Sequence, residues 1–239
     1  MSSWFKQFRY RLRRRPHFEN ATEQLKSLEG RYRTPEARLA IPFEYKGKGF
    51  FKSIKPMQSR DEITRFFSHI MELRPQCVVE IGTCHGGTLY MWCQAATPDA
   101  LIVSIDLPEG EYGGGYPPER IPLYESFAQP GQRLKLLRGD SHTRETLEQL
   151  ETALGGQKVD FLFIDGDHRY EGVRADFDSY SRLVRPGGII ALHDILERPA
   201  QPDLEVHRFW SELRQQYSTV EFIERAPDQR KIGLGLVRC

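Results

Sequence analysis

Short apolar runs alternate with longer amphipathic stretches through most of the chain, and this alternation restricts the possible folds more than any other feature. The apolar runs predict five strands, at 77–81, 101–106, 134–138, 159–165 and 188–194. Helical periodicity predicts helices at about 86–96, 143–154, 170–184 and 203–217. Strands that are apolar throughout and are separated by helices are typical of a parallel sheet covered on both faces.

The last part of the chain breaks the alternation. Two strand-like runs, 219–224 and 231–238, are joined by the short polar loop APDQR, with no helix between them. Such runs should pair as an antiparallel hairpin. The sequence therefore predicts an α/β fold: a Rossmann-like, doubly wound sheet of seven strands, mostly parallel, with a C-terminal antiparallel hairpin.

The first 55 residues lack this pattern, so 1–55 are predicted as an N-terminal basic arm and cap segment and 56–239 as the α/β domain. Residues 1–15, MSSWFKQFRYRLRRR, place aromatic residues and a leucine at helical spacing among Lys and Arg. This pattern is typical of a basic amphipathic helix on an anionic membrane surface or on a partner. A solvated terminus fits the same residues, and both alternatives stay open.

Length and charge exclude several classes of protein. The chain has 239 residues and a formal net charge of +1, so no general attraction to nucleic acid is expected. It has no apolar run long enough to predict a transmembrane helix, and no apolar stretch typical of a secretory signal follows its basic start. Its four cysteines include no C-x-x-C pair. A cytoplasmic location is therefore expected, with contact at the inner face of the membrane left open.

Acidic residues follow most of the predicted parallel strands. They are Asp106, Asp140, Asp165 and Asp194, and Glu80 lies just before the first turn. Doubly wound sheets bind ligands beyond the carboxyl ends of their strands, which is where these acids should lie. Each acid alone could cap a helix, but their repetition along one edge favours a binding site.

The turn after the first strand, EIGTCHGGT at 80–88, is rich in glycine and opens a helix. A dinucleotide-binding G-x-G-x-x-G turn would need glycine where Cys84 stands, and Glu80 would repel a pyrophosphate. A ligand with an ammonium and a sulfonium but no phosphate, such as S-adenosylmethionine (SAM), suits this turn better. Asp106 then lies where a carboxylate accepts hydrogen bonds from ribose hydroxyls.

Five segments, EIGTCHGGT, SID, GDS, FIDGDHRYEGV and LVRPGGIIALHD, resemble the class I SAM-dependent methyltransferases. The resemblance covers roughly 56–239 and extends to the branch with macrocin-type sugar O-methyltransferases and proteins labelled cephalosporin hydroxylase. It implies SAM as the cofactor. The implied cofactor-binding residues are Glu80, Gly82, Thr83 and Gly86 around the methionine end, Asp106 at the ribose, Asp140 and Ser141 at the adenine, and Asp165.

The same resemblance implies a divalent cation held by Asp165 and Asp194, because carboxylate oxygens suit Mg²⁺. Sugar-modifying relatives often have a second acid beside the one after the fifth strand, and here that neighbour is His193. His193, His168 and Asp167 are the candidate catalytic residues, since an imidazole or a carboxylate can take a proton from a hydroxyl acceptor. A structural hydrogen bond is the alternative role for each of them.

The expected reaction is O-methylation of a hydroxylated small molecule or sugar, with metal assistance left open. Two other functions stay open: an NAD-linked oxidoreductase on the same fold, and a non-catalytic SAM-binding scaffold associated with membranes through residues 1–15. No nucleic-acid partner is expected, and a homo-oligomer is left open. Tyr112 and Tyr116, in the long stretch 107–133, are candidates for a lid or an acceptor wall.

Overall fold

The computed structural model describes residues 3–109, 115–224 and 232–239, with side chains from Arg15 onwards. Its centre is a sheet of seven strands: β1 Cys77–Ile81, β2 Leu101–Asp106, β3 Arg133–Arg138, β4 Val159–Ile164, β5 Val184–His193, β6 Ser218–Phe222 and β7 Leu234–Arg238. The strand order is β3-β2-β1-β4-β5-β7-β6. β1 to β5 pair in parallel, and β7 pairs antiparallel with both β5 and β6. The predicted fold class is therefore confirmed.

Helices cover both faces of this sheet. The described residues form α1 Ser3–Arg31, α2 Pro35–Arg38, α3 Ile41–Glu44, α4 Arg60–Leu73, α5 Gly87–Ala95, α6 Ile121–Glu125, α7 Arg144–Leu154, α8 Tyr170–Tyr180 and α9 Val206–Gln216. One core includes α1, α4 and α5 on one face of the sheet, and a second includes α7, α8 and α9 on the other. Because both faces of the central strands are covered, β1 and β2 are buried along their whole length.

The segment before the sheet packs against it through α1. Ala21, Leu25 and Leu28 are buried in the same core as Tyr90 and Trp92 of α5. Their spacing of three and four residues places them on one face of the helix. Residues 16–55 show no clear hydrophobic periodicity when they are taken together. The structure nevertheless has a helix that continues through Pro16 and ends at Arg31. The boundary between an arm and a domain at 55/56 stays a prediction, and the hydrophobic core spans it.

The C-terminal hairpin lies at the β5 edge of the sheet, with β7 as its inner strand. Trp210 of α9 packs on Gly235, where a Cβ would lie 2.6 Å from the indole ring. The same indole donates to Glu221 Oε1 in β6 at 2.7 Å. The APDQR loop at 226–230 lies outside the described residues, and the strands are shorter than the predicted 219–224 and 231–238.

The boundaries of other elements also differ from those predicted. α8 ends at Tyr180 and β5 starts at Val184, ahead of the predicted 188, with a register shift against β4. Within 107–133 the described residues form a 3₁₀ turn at Pro118–Arg120, followed by α6. Tyr112 lies outside the described residues. Tyr116 is buried edge-on against Tyr124 at 4.9 Å, so its ring belongs to the core and is not an exposed acceptor wall.

No helix within the described residues is long and apolar enough to cross a membrane.

Candidate active site

A cleft of about 330 Å³, called here the main cleft, lies beyond the carboxyl ends of β1, β2, β3 and β4. The residues that line it are Ile81, Gly82, Cys84, Ile105, Asp106, Leu107, Glu109, Gly115, Gly139, Asp140, Ser141, His142, Asp165, Gly166, Asp167 and Arg169. Five predicted cofactor residues are among them: Gly82, Asp106, Asp140, Ser141 and Asp165. The sheet topology therefore brings these residues to one cleft, as expected for the edge where parallel strands end.

The glycine turn lies so close to the end of β4 that it tolerates no side chain at Gly82. A Cβ there would lie 2.0 Å from the carbonyl oxygen of Asp165, and φ at Gly82 is +96°. Only glycine adopts such a conformation without strain. Cys84, two residues later, also has a positive φ of 44°, which is uncommon for a residue with a side chain. The turn is thus shaped tightly around one wall of the main cleft.

A second glycine of the turn, Gly86, precedes α5 and packs on Tyr124. A Cβ at Gly86 would lie 2.7 Å from the Tyr124 ring. The Tyr124 hydroxyl donates to the carbonyl oxygen of Cys84 at 2.8 Å, so α6 supports the turn from outside the sheet. Gly86 and Tyr124 lie behind the lining residues. Sequence patterns did not predict this supporting role of Tyr124.

Asp106 ends β2 inside the main cleft. Its side chain is almost buried, and Oδ2 accepts a hydrogen bond from the backbone N–H of Tyr116 at 2.9 Å. Burial raises the pKa of Asp106, although backbone N–H groups of Tyr116 and Cys84 oppose that rise. A carboxylate held this way can accept further hydrogen bonds from ligand hydroxyls.

Glu80 and Thr83 lie beneath the turn and not among the cleft-lining residues. Glu80 is fully buried and accepts hydrogen bonds from Trp92 Nε1 at 2.8 Å and from the Ser104 hydroxyl at 2.5 Å. The Thr83 hydroxyl contacts Ser104 Oγ at 2.6 Å. Burial raises the pKa of Glu80 to about 7. These contacts stabilise the turn, and direct contact of either residue with a cofactor stays a prediction.

The far end of the main cleft contains Asp140, Ser141 and a residue that sequence reasoning missed, His142. Asp140 Oδ1 accepts the His142 N–H at 2.9 Å, and the Ser141 carbonyl accepts the Tyr180 hydroxyl at 2.7 Å. His142 Nε2 lies 3.4 Å from Asp176 Oδ1, a carboxylate that is fully buried in α8. Asp176 is the main reason that the pKa of His142 rises to about 9. No sequence motif connects two residues from such distant elements.

The Asp165 carboxylate is hydrogen-bonded to three side chains. Its Oδ1 accepts from His193 Nδ1 at 2.9 Å and contacts His168 Nε2 at 3.2 Å. Its Oδ2 accepts from Gln58 Nε2 at 2.7 Å. Burial opposes ionisation, but the two imidazoles outweigh it and hold the pKa of Asp165 well below its usual range.

The two candidate histidines differ in access. His193 is only 3% exposed, and its Nε2 has no hydrogen-bond partner among the described residues. Burial lowers the pKa of His193, but Asp165 and Asp194 more than reverse this and raise it to about 9. The His168 side chain is 15% exposed and reaches Asp165 from the loop after β4. His193 therefore lies behind Asp165, and His168 is the more accessible of the two.

Asp165, His168 and Asp194 together could hold a metal ion. Their donor atoms all lie within 4.8 Å of one another. Asp194 has φ +62° and pairs through Oδ1 with Arg198 at 2.5 Å, while Oδ2 lies 3.5 Å from His168. Two carboxylates and one imidazole fit a divalent cation, and the imidazole favours Mn²⁺, Fe²⁺ or Zn²⁺ over Mg²⁺. The geometry thus adds His168 to the predicted pair of acids.

Asp167, the third candidate catalytic residue, lines the main cleft but is paired. Arg169 contacts Oδ2 at 2.5 Å and Oδ1 at 3.0 Å. Burial raises the pKa of Asp167, but the hydrogen bonds and charge of Arg169 lower it overall. A carboxylate with a lowered pKa is a weak base, so these contacts favour a structural role.

A second cavity of about 400 Å³ is lined in part by Gln58, whose amide is hydrogen-bonded to Asp165. It is called here the strap cavity, because most of its wall comes from the strap, residues 46–59, which leads into α4. Its lining residues are Ser53, Lys55, Pro56, Met57, Gln58, Ser59, His85 and Ile232. Sequence reasoning assigned no function to this segment.

Part of the chain is similar to known proteins. Residues 79–195 match the family described as "Methyltransferase domain". An uncharacterised protein of Sinorhizobium fredii is 27% identical over 165 residues, which are 68% of this chain and 17% of that protein. An uncharacterised protein of Acanthamoeba polyphaga mimivirus is 32% identical over 116 residues, 48% of this chain and 50% of its own length. The matched region thus spans half or less of these relatives.

Solved structures share the fold at low sequence identity. The O-methyltransferase TomG from Streptomyces achromogenes, in complex with SAM, superposes with a TM-score of 0.55 at 16% identity, covering 85% of this chain and 86% of its own. A Bacillus cereus O-methyltransferase in complex with SAH superposes with a TM-score of 0.56 at 16% identity, covering 77% of this chain and 83% of its own. The family match runs from within β1 to just after β5 and so includes the four strands whose ends build the main cleft, and this region of the chain is accordingly similar to a methyltransferase domain.

Proposed function

We propose that this chain transfers the methyl group of SAM to a hydroxyl group of a small molecule, with a sugar as the favoured acceptor. The observation that carries the proposal is the position of Asp165. Its carboxylate lines the main cleft on one side and is bonded to Gln58 of the strap cavity on the other. A group at this junction can lie next to both a cofactor and an acceptor.

In this proposal SAM occupies the main cleft. The glycine turn at Gly82 faces the methionine part, Asp106 accepts hydrogen bonds from the ribose hydroxyls, and Asp140 and Ser141 lie beside the adenine. Gly82 supports this placement because it lines the main cleft, and its close contact with the Asp165 carbonyl fixes the turn there. Asp106 supports it because a buried, oriented carboxylate binds vicinal hydroxyls strongly.

Methyl transfer from a sulfonium is an in-line displacement, so the acceptor oxygen, the methyl carbon and the sulfur must be aligned. An aliphatic hydroxyl must also lose its proton as the new O–C bond forms. His168 is placed to take that proton, because it is partly exposed and Asp165 orients its imidazole. His193 acts in this scheme as a positioning residue, since it is buried and holds Asp165 from behind.

A divalent cation is the alternative to a histidine base: it would be held by Asp165, His168 and Asp194, whose donor atoms already converge, and His168 would then be a ligand and would not take the proton. A bound cation would lower the pKa of an acceptor hydroxyl and orient it. Arg198 keeps one oxygen of Asp194 occupied, which leaves Oδ2 directed toward His168. These residues would provide the site whether the acceptor is a sugar or another polyol.

Calorimetric titration with SAM, SAH and NAD tests the cofactor, and transfer of labelled methyl groups to a panel of sugars and polyols tests the reaction. We expect SAM and SAH to bind and NAD not to bind. Binding of NAD without SAM would instead support the oxidoreductase alternative. Tight SAM binding with no transfer to any hydroxylated compound would support a non-catalytic scaffold.

A further inference from the structure

The strap carries a strong local positive charge in a nearly neutral chain. Residues 46–59, KGKGFFKSIKPMQS, contain four lysines but no acid, whereas the whole chain has a net charge of +1. Lys46, Lys48, Lys52 and Lys55 are all exposed. Among the residues that the structure describes, none of these lysines forms an ion pair. Positive charge is therefore available to a ligand on this side of the molecule.

One of these lysines belongs to the wall of the strap cavity itself. Lys55 lines it together with Met57, which is 55% exposed, and with Gln58, which is 3% exposed. The exposed end of the wall thus carries a cation and an apolar surface, while the buried end carries an amide. A ligand that matches this wall has an anionic group at one end and neutral polar groups at the other.

The buried end of the cavity is suited to hydroxyl groups. Gln58 donates through Nε2 to Asp165, which leaves Oε1 as an acceptor, and Oε1 is buried with no partner among the described residues. His85 lines the same cavity, and burial together with Arg120 lowers the pKa of His85, so its imidazole is neutral near pH 7. A buried amide oxygen without a partner is costly unless a ligand or water donates to it.

We infer that the strap cavity is the acceptor site and that it selects hydroxylated acceptors carrying a phosphate or carboxylate group. The anionic group would pair with Lys55, and a hydroxyl would donate to Gln58 Oε1 beside Asp165. This inference rests on the proposed function, because Asp165 defines the reaction centre only if SAM occupies the main cleft. It assigns substrate recognition to a segment that lies before the family match at 79–195.

Binding of three simple sugars tests the inference without knowledge of the natural acceptor. Glucose 6-phosphate, glucuronate and glucose are titrated into the full chain by calorimetry or saturation-transfer NMR, with and without saturating SAH. We expect at least one anionic sugar to bind at least about tenfold more tightly than glucose, an advantage that falls with salt. SAH should not displace it, because the two ligands occupy different cavities.

Lys55→Gln should weaken binding of the anionic sugar at least about threefold and leave the affinity for glucose unchanged, because only the charge is removed. Lys26→Gln, an exposed lysine on α1, is the matched control and should change neither. Gln58→Leu should weaken binding of all three sugars, because each would lose the hydrogen bond to Gln58 Oε1.

Three results would overturn the inference: equal or absent binding of the three sugars, equal effects of Lys55→Gln and Lys26→Gln, or displacement of the anionic sugar by SAH. Failure of the proposed function would be seen separately, as absence of SAM and SAH binding in their own titration.

Discussion

Gln58 and Asp165 are 107 positions apart in the sequence, yet a 2.7 Å hydrogen bond joins their side chains at the centre of the site. Asp165 belongs to the methyltransferase family match, and Gln58 precedes it. Both are held in place by the fold: Asp165 follows β4, and Gln58 comes just before Ser59, which caps α4. The segment before the sheet therefore contributes directly to the site that the sheet builds.

Replacing Asp106 tests the ribose contact. Asp106→Ala should weaken SAM binding about tenfold to a hundredfold, because a hydrogen bond to a charged group contributes about 1.5–3 kcal/mol. Calorimetry with purified variants measures the change. Asp203→Ala, at an exposed position, is the control. An Asp106→Ala variant that binds SAM as tightly as the unmodified protein would place the ribose elsewhere.

The metal hypothesis predicts that EDTA abolishes methyl transfer and that Mn²⁺ restores it at least as well as Mg²⁺, since one ligand is an imidazole. Asp194→Asn should reduce turnover by about a hundredfold or more while SAM still binds, because Asp194 would bind the metal that activates the acceptor and would not contact SAM. Mn²⁺ binding measured by electron paramagnetic resonance in the SAM-free protein gives a second readout.

The Asp194→Asn variant also loses the charge that pairs with Arg198. Its melting temperature is therefore measured to show that it still folds. Full activity in excess EDTA would contradict metal assistance. Proton transfer would then be assigned to His168, with Asp165 orienting its imidazole.

The sheet was predictable because its central strands are buried on both faces and therefore read as continuous apolar runs, as in β1 and β2. The positions of Asp106, Asp140 and Asp165 followed from the same argument, since each follows a parallel strand. β5 was predicted too short, because Pro186 and Gly187 within it are residues that usually end strands.

Other parts of the site were not predictable, because they depend on contacts between distant segments. His142, in the turn before α7, gains its raised pKa from Asp176 in α8, and Gln58 gains its role from Asp165. Neither residue belongs to a motif. α1 was obscured by Pro16, which usually interrupts a helix, although Ala21 and Leu25 after it lie on one buried face.

The basic start of the chain is expected to bind anionic membranes. Deleting residues 1–15 removes six basic side chains and should reduce co-sedimentation with phosphatidylglycerol vesicles, because each such charge contributes about 1 kcal/mol near an anionic surface. Binding to neutral phosphatidylcholine vesicles should not change. SAM affinity should be preserved, since the described core contacts of α1 begin at Phe18, after the deleted residues. Equal sedimentation of both forms would contradict the hypothesis.

Glu80 gives a stability prediction whose sign depends on pH. Burial raises the pKa of Glu80 to about 7 in the folded protein, against 4.5 for an unperturbed carboxyl group. The folded state therefore binds more protons than the unfolded state between these values. The stability contributed by Glu80 is fully present below pH 4.5 and is lost as the pH rises through 7.

A Glu80→Gln variant does not titrate at this position. Its free energy of unfolding relative to the unmodified protein should therefore rise between about pH 5 and pH 8, by at most ~3 kcal/mol. Urea denaturation without SAM, repeated across this range, measures the difference. Glu197→Gln, at an exposed position, is the matched control. A difference that stays constant with pH would mean that Glu80 keeps an ordinary pKa despite its burial against Trp92 and Ser104.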